Sequence, residues 1–140
     1  MSAEPQEDKD AIPSCHWTKS GSRTIGEADI AIFAALVGLH EGQSMSIDEA
    51  AASLFGRRIS PGILTVMLAY GLVVQSRESG QSLDCDIREM RLPAPVYLGD
   101  TIHASVAWCK SDHRRDMLVE VRNQNDELVL TYKARTQDSV

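Results

Sequence analysis

The chain has 140 residues and a mass of 15.4 kDa, which is enough for one globular domain with a buried core. Hydrophobic residues make up 43% and charged residues 24%, as in ordinary globular proteins, and the formal net charge is −6. This acidity, without any cluster of Lys and Arg, excludes the electrostatic footprint of a nucleic-acid-binding protein.

The two ends of the chain differ from the part between them. Residues 1–14 are polar and acidic and lack the apolar segment of a signal peptide, so they predict a disordered tail. We expect one folded domain over residues 15–136 and a short C-terminal tail over residues 137–140. The longest apolar segment, residues 63–74, falls well short of the roughly 20 residues that span a bilayer, so we expect no membrane partner.

The cysteines and histidines do not form a recognisable metal site. Cys15, Cys85 and Cys109 are odd in number, widely spaced and without a CxxC pair, which argues against both a zinc site and a disulfide framework. We therefore expect no metal and a reducing, cytoplasmic location. Three histidines also lack metal-ligand spacing and are expected on the surface or in strands: His16, His103 and His113.

The first folded segment is predicted to be a short strand followed by a helix. Residues 15–22 are suited to an extended conformation, and Thr24 with Glu27 three residues later has the pattern of a capping box. Apolar residues then recur at helical spacing, and Gly38 is suited to end the helix. We expect this helix over residues 25–37.

A polar loop and a second helix follow. The loop, LHEGQSMS, contains the neighbouring pair His40 and Glu41, and a third polar candidate, Ser44. Ser46 is predicted to cap a short alanine-rich helix, with Glu49 at the capping-box position and Gly56 at its end. These features place several chemically capable side chains between two helices.

The segment SPGILTVMLAYGLVVQS begins with a helix-start pattern. Ser60 can serve as the N-cap, and Pro61 fits the first helical position because a missing N–H costs nothing there. The amides of Gly62 and Ile63 then belong to the donors that lack partners within the helix. We expect these two amides to be available to a ligand.

The interior of the same helix carries no charge on any face. A helix that is apolar all round is buried all round, so we expect residues 63–74 to form the centre of the core. Met67 and Tyr70 are accordingly expected to be core residues.

Beyond residue 80 the apolar period changes from about 3.6 to 2, which is the period of strands. Strands are predicted over residues 82–90, 101–110, 115–122 and 127–135. Helices followed by an antiparallel meander indicate an α+β domain, with the apolar helix wrapped by the sheet.

Four strings of the sequence also resemble a known family. They are TIGEADIAIFAALVG, DEAAASLFGRRISPGILTVMLAYGLV, LPAPVYLGDTI and VRNQNDELVLTYKA, and together they extend over residues 24–134. In order and spacing they resemble the MaoC-like dehydratases, which are (R)-specific enoyl-thioester hydratases of the hotdog fold.

The resemblance implies a long central helix wrapped by a curved antiparallel sheet, and a dimer whose two sheets join edge to edge. It also implies an acyl thioester of coenzyme A or of a carrier protein as substrate, bound at the subunit interface, with no separate cofactor. A homodimer is the expected assembly, and a heterodimer with a homologous subunit is the alternative.

The chain departs from this family in the catalytic loop. The usual loop reads Gly-Asp-x-Asn-Pro-x-His, in which Asp and His activate water. Aligned from Gly38, the Asp position holds Leu39 and the His position holds Ser44. The central helix starts with Ser60-Pro61-Gly62 where the family has Ala-His-Gly, so the usual catalytic pair is absent.

The remaining loop residues give the candidate site. His40 and Glu41 can share general acid–base work, although a solvated loop pair is the alternative. Ser44 can hydrogen-bond a thioester or serve as a plain loop residue, and Ser60 is expected at the helix start with the Gly62 and Ile63 amides as donors to a carbonyl oxygen.

Three functions follow from these observations. The first is hydration or dehydration of an acyl thioester by a rearranged site. The second is a catalytically inactive, hydratase-like subunit that acts as a binding or dimerisation partner. The third is thioester hydrolysis, with Glu41 activating water. The carrier, the acyl length and the choice among these reactions are not readable from the sequence.

Overall fold

The structure is a computed structural model that describes residues 15–76, 86–111 and 114–137. The expectations for residues 1–14, 82–85, 138–140 and Cys85 lie outside this part. Within it the elements are, in order, β1 His16–Thr24, α1 Glu27–Val37, α2 Gly42–Met45, α3 Ile47–Ala52, α4 Gly62–Ser76, β2 Asp86–Arg91, β3 Thr101–Ser111, β4 Arg114–Arg122 and β5 Leu128–Gln137.

The five strands form one antiparallel sheet in the order β1-β3-β4-β5-β2. β1 and β2 are therefore the two edges, and β2 is exposed along its whole length. Buried residues of α4 pack with the inward residues of β3, β4 and β5 in one cluster, which includes Val66, Val73, Val106, Val119 and Tyr132. The predicted α+β domain, with a long helix against an antiparallel sheet, is confirmed.

The helix α4 is not buried on every side in the single chain. One face supplies Leu64, Ala69 and Val73 to the interior. Three large apolar side chains on the opposite face remain exposed: Ile63 at 59%, Met67 at 49% and Tyr70 at 40%. The prediction of all-round burial was wrong, because an apolar residue in the sequence does not show whether its own chain covers it.

The start of α1 also differs from the prediction. Thr24 is the last residue of β1, and its hydroxyl pairs with the hydroxyl of Thr101 at 2.7 Å rather than capping the helix. Gly26 occupies the N-cap position, and the carboxylate of Asp29 accepts the Gly26 amide at 2.9 Å. Arg23 bonds the same carboxylate, so these contacts hold the pKa of Asp29 below its ordinary value.

Two other helix ends agree with the sequence in part. The hydroxyl of Ser46 accepts the Glu49 amide at the start of α3, as predicted. Gly38 ends α1 in a left-handed conformation with φ of 69°, as predicted. Gly56 also has a positive φ, but α3 has already ended at Ser53, and the loop before α3 contains the short helix α2.

A disulfide joins Cys15, next to the start of β1, to Cys109 in β3. The two strands are neighbours, with His16 opposite Trp108, so the cysteines face each other in register. The argument against disulfides was wrong for this pair because it used spacing along the chain and not strand register. Disulfides are rare in a reducing cytoplasm, so this bond counts against the location predicted above.

No helix in the described ranges is both long and apolar enough to cross a bilayer. The described side chains also contain no group of three or more His, Cys, Asp or Glu that could hold a metal ion.

Candidate functional site

The loop after α1 lies beside the start of α4. Leu39 packs against an apolar cluster that contains Leu64 in the first turn of α4. Further along the loop, the Ser44 carbonyl accepts the Arg58 Nε–H at 2.8 Å, and the Gln43 carbonyl accepts the Ile59 amide at 3.2 Å. The fold therefore brings the start of the loop against the first turn of α4, and the later part of the loop against the segment that precedes α4.

Ser60 is buried but does not cap α4 with its side chain. Its hydroxyl donates to the Pro61 carbonyl at 3.3 Å and accepts from the Thr65 hydroxyl at 3.1 Å. Its amide donates to the Val96 carbonyl at 2.7 Å. The prediction of a serine cap was wrong. The helix α4 begins two residues later, at Gly62, and the Ser60 hydroxyl bonds Pro61 and Thr65 instead of an amide of the first turn.

As a result, the first amides of α4 keep their capacity to donate. Within the described residues, neither the Gly62 nor the Ile63 amide has a hydrogen-bond acceptor. Both residues are exposed, and α4 is 15 residues long, so its amide dipoles place partial positive charge at this terminus. Two free donors at such a terminus are suited to an anionic or carbonyl oxygen.

Ser44 is almost fully buried at 1% exposure, in contrast to the expectation of a loop serine. It lies in α2, and its hydroxyl has no hydrogen-bond partner among the residues that the structure describes. An unsatisfied buried hydroxyl costs on the order of 1–3 kcal/mol. A polar group kept at that cost is a candidate for contact with a ligand.

His40 and Glu41 lie on the surface in the same loop. Both are exposed, and Glu41 occupies the N-cap position of α2. The side chain of Glu41 borders a shallow depression of about 460 Å³ that His40 does not line. Its lining residues are Glu41, Gly42, Gln43, Glu49, Ala52 and Ser53. His40 and Glu41 are thus neighbours along the chain, but they do not line one enclosed site.

Sequence reasoning missed Glu49 as a second carboxylate at this depression. A side-chain carbon on Gly42 would lie 1.4 Å from Glu49 Oε2, so the Glu49 carboxylate packs directly over the Gly42 backbone. A larger residue at this position would displace the exposed Glu49 carboxylate. Glu49 follows Gly42 by seven residues, and only the fold of α2 on α3 brings the two together.

The two arginines before α4 have different environments. The Arg58 side chain is 14% exposed and bonds both the Ser44 carbonyl and the Glu27 carboxylate of α1. Arg57 is exposed and stacks over the Tyr97 ring, with its guanidinium carbon 3.8 Å from the ring centroid. The pair Arg57-Arg58 in the sequence did not show that Arg58 links two separate segments of the fold.

With this geometry in place, comparison with known proteins identifies the family. The model of the MaoC-like domain family matches residues 6–129. This chain belongs to the MaoC-like domain family. The protein MaoC of Klebsiella aerogenes is 36% identical over 88 residues, which are 63% of this chain and 26% of that protein. The chain thus spans about a quarter of the length of this curated relative.

Solved structures agree in fold. A monoamine oxidase regulatory protein from Archaeoglobus fulgidus is 29% identical, with a TM-score of 0.76 over 90% of this chain and 91% of that one. The (R)-hydratase of A. caviae involved in PHA biosynthesis is 23% identical, with a TM-score of 0.75 over 93% and 99%. The chain therefore has the hotdog fold that the sequence resemblance implied.

Some similar structures are complexes of two different chains. One is the HadBC (3R-hydroxyacyl-ACP dehydratase) complex of Mycobacterium tuberculosis, 18% identical with a TM-score of 0.69 over 86% of this chain and 94% of that one. At this identity the likeness shows the fold alone.

Proposed function

We propose that this chain binds an acyl thioester, and that it acts as a hydratase or dehydratase with a rearranged site. The observation that carries the proposal is the start of α4, at the positive end of a long helix. There the amides of two exposed residues, Gly62 and Ile63, have no acceptor within the described part of the chain. The Ser44 hydroxyl, which is buried and has no partner among the described residues, supports a polar ligand near the segment that leads into α4, because the Ser44 carbonyl bonds Arg58 in that segment. Membership of the MaoC-like family supports the thioester as its chemical class.

The amides are suited to the part of the reaction in which negative charge develops. In hydration, the oxygen of water bonds to the β-carbon of an enoyl thioester, and the π electrons move to the α-carbon and the thioester oxygen. Donation from the Gly62 and Ile63 amides stabilises that oxygen, and a proton then joins the α-carbon. The water loses its proton to a base, for which His40 and Glu41 are the loop candidates.

The direct test is incubation of the purified chain with crotonyl-CoA and with a panel of 3-hydroxyacyl thioesters. Hydration removes the absorbance of the enoyl group, whereas thioester hydrolysis with Glu41 as base releases a free thiol. We expect the His40→Ala and Glu41→Gln variants to lower turnover while keeping affinity. Absence of turnover above the level of His40→Ala, together with absence of thioester affinity, would remove the proposal.

A second candidate function has its own supporting observation. The two positions at which the family keeps its acid and base hold Leu39, which packs in an apolar cluster, and Ser44, which is buried. A chain with this arrangement is suited to be the inactive subunit of a pair, with a homologous subunit supplying the acid and base. Titration with such a subunit should then raise turnover from the background, whereas a homodimer that is active alone contradicts this function.

The exposed stripe of α4, defined by Ile63, Met67 and Tyr70, supports a dimer under either function. These residues recur at helical spacing, so they form one continuous apolar face. Burial of large apolar side chains stabilises an interface by roughly 25 cal/mol per Å² of apolar surface removed from water. We propose a homodimer as the default, with the heterodimer as the form expected for the inactive subunit.

A further inference from the structure

We infer that Arg58 is a positioning residue that fixes Ser44 relative to the start of α4. This inference rests on the proposed function, because it concerns the same site. The Arg58 Nε–H donates to the Ser44 carbonyl at 2.8 Å, and the other arm of the guanidinium bonds Glu27 Oε1 in α1. One side chain thus ties the candidate loop to the first turn of the preceding helix.

The segment that carries Arg58 is itself held by residues 96–98. The Arg58 carbonyl accepts the Leu98 amide at 3.1 Å, and Ile59 forms an isolated bridge with Tyr97. The Ser60 amide donates to the Val96 carbonyl at 2.7 Å. Because three consecutive residues make these contacts, residues 58–60 are held in place against residues 96–98. The bond from Arg58 to the Ser44 carbonyl then holds the loop relative to residues 58–60.

The two arms of the guanidinium differ in importance. The Glu27 side chain is 73% exposed, so its ion pair with Arg58 contributes little by itself. The bond to the Ser44 carbonyl is partly buried, and its loss removes a charge-assisted hydrogen bond from that acceptor. Arginine makes both contacts at once because its donors lie in a rigid planar fork, whereas lysine offers a single charged group.

Displacement of Ser44 is therefore expected to weaken the site. A shift of about 1 Å in a group that contacts substrate can cost on the order of 10²-fold in rate. We expect Arg58→Gln to lower thioester affinity or turnover by roughly 10- to 100-fold. Arg58→Lys should recover only part of that loss.

The neighbouring arginine supplies a matched control. Arg57 has the same charge, lies one residue away and stacks on Tyr97, and no hydrogen bond joins it to the loop within the described residues. Arg57→Gln should therefore keep the affinity of the wild type. Any loss common to both variants would reflect general charge and not positioning.

The closing experiment is a double-mutant cycle on crotonyl-CoA affinity, well below the melting temperature, with Ser44→Ala, Arg58→Gln and the double variant. If Arg58 acts through Ser44, the double variant loses no more affinity than the weaker-binding single variant. Additive losses, or wild-type affinity in a folded Arg58→Gln protein, overturn the positioning role alone. A wild-type protein without thioester affinity overturns the proposed function and, with it, the role of Arg58 there.

Discussion

The substitution Gly62→Val tests the central element of the proposed site. Gly62 is the first residue of α4, it is exposed, and its amide has no acceptor among the described residues. A side-chain carbon at this position would approach Leu92 Cδ1 to 3.0 Å, and that atom is the tip of a side chain that is 44% exposed. Leu92 can rotate away, so the fold itself should tolerate the change.

The two expected magnitudes are well separated. Surface substitutions that keep the backbone conformation change the free energy of unfolding by about 0.5 kcal/mol. The valine methyl groups would occupy the space through which a thioester oxygen reaches the amide. Loss of one donor of this kind costs on the order of 10²–10³ in kcat, or about 2.7–4 kcal/mol of transition-state stabilisation.

The assay compares thioester affinity, turnover, melting temperature and oligomeric state for Gly62→Val and a control, Gly71→Val. Gly71 lies in the same helix, and a side-chain carbon there would meet nothing within 4 Å. We expect Gly71→Val to behave as the wild type and Gly62→Val to melt normally but bind and turn over poorly. Unchanged binding and turnover in a folded Gly62→Val dimer would refute the role of the helix terminus.

Three other predictions concern stability and assembly. Reduction of the Cys15–Cys109 bond, or the double serine variant, should lower the free energy of unfolding by up to about 4.7 kcal/mol, the chain-entropy value for its sequence separation of 94, and the serine variant should melt independently of reductant. Asp29→Asn should cost about 1 kcal/mol by weakening the cap of α1. The pKa of Asp29 is lowered in the folded protein, so the difference in free energy of unfolding between the wild type and Asp29→Asn should be complete above pH 3.8, the ordinary pKa. It should disappear as the pH falls through the folded pKa. A difference that stays constant throughout acid unfolding would contradict this prediction. Met67→Glu on the exposed stripe should shift sedimentation from dimer to monomer, whereas Glu in place of Gln75, an exposed residue at the end of α4, should not.

The sequence was sufficient for the fold because local and global patterns agree. The change of apolar period after residue 80 marks the point where helices give way to strands, and the observed bounds of β3, β4 and β5 lie close to the predicted ones. The first helical residue of α4 was predicted to be Pro61 and is Gly62, a difference of one residue. These features depend on neighbours along the chain, which a single sequence displays.

Several of the errors concern contacts between distant segments. Cys15 and Cys109 meet because β1 pairs with β3 in a particular register, and spacing along the chain does not reveal that register. Thr24 remains in β1 because Thr101 is its partner across the sheet, so capping passes to the carboxylate of Asp29. Arg58 bonds a loop 14 residues earlier and a helix 31 residues earlier, which the doubled arginine could not indicate.

The positions of Leu39 and Ser44 restrict where the missing acid and base can come from. A carboxylate in place of Leu39 would lie against the apolar cluster of α1 and α4, and an imidazole would not fit where Ser44 is 1% exposed without moving α2. Leu39 thus serves packing in this chain, and the buried space at position 44 suits a small hydroxyl. The exposed stripe of α4 begins at Ile63, directly after Gly62, so a subunit that covers the stripe also brings its own side chains to the free amides. Under the proposed function, His40 and Glu41 supply the acid and the base in an active homodimer. The inactive-subunit function instead requires them from across the interface, so the identity of the partner that covers the stripe decides between these two sources.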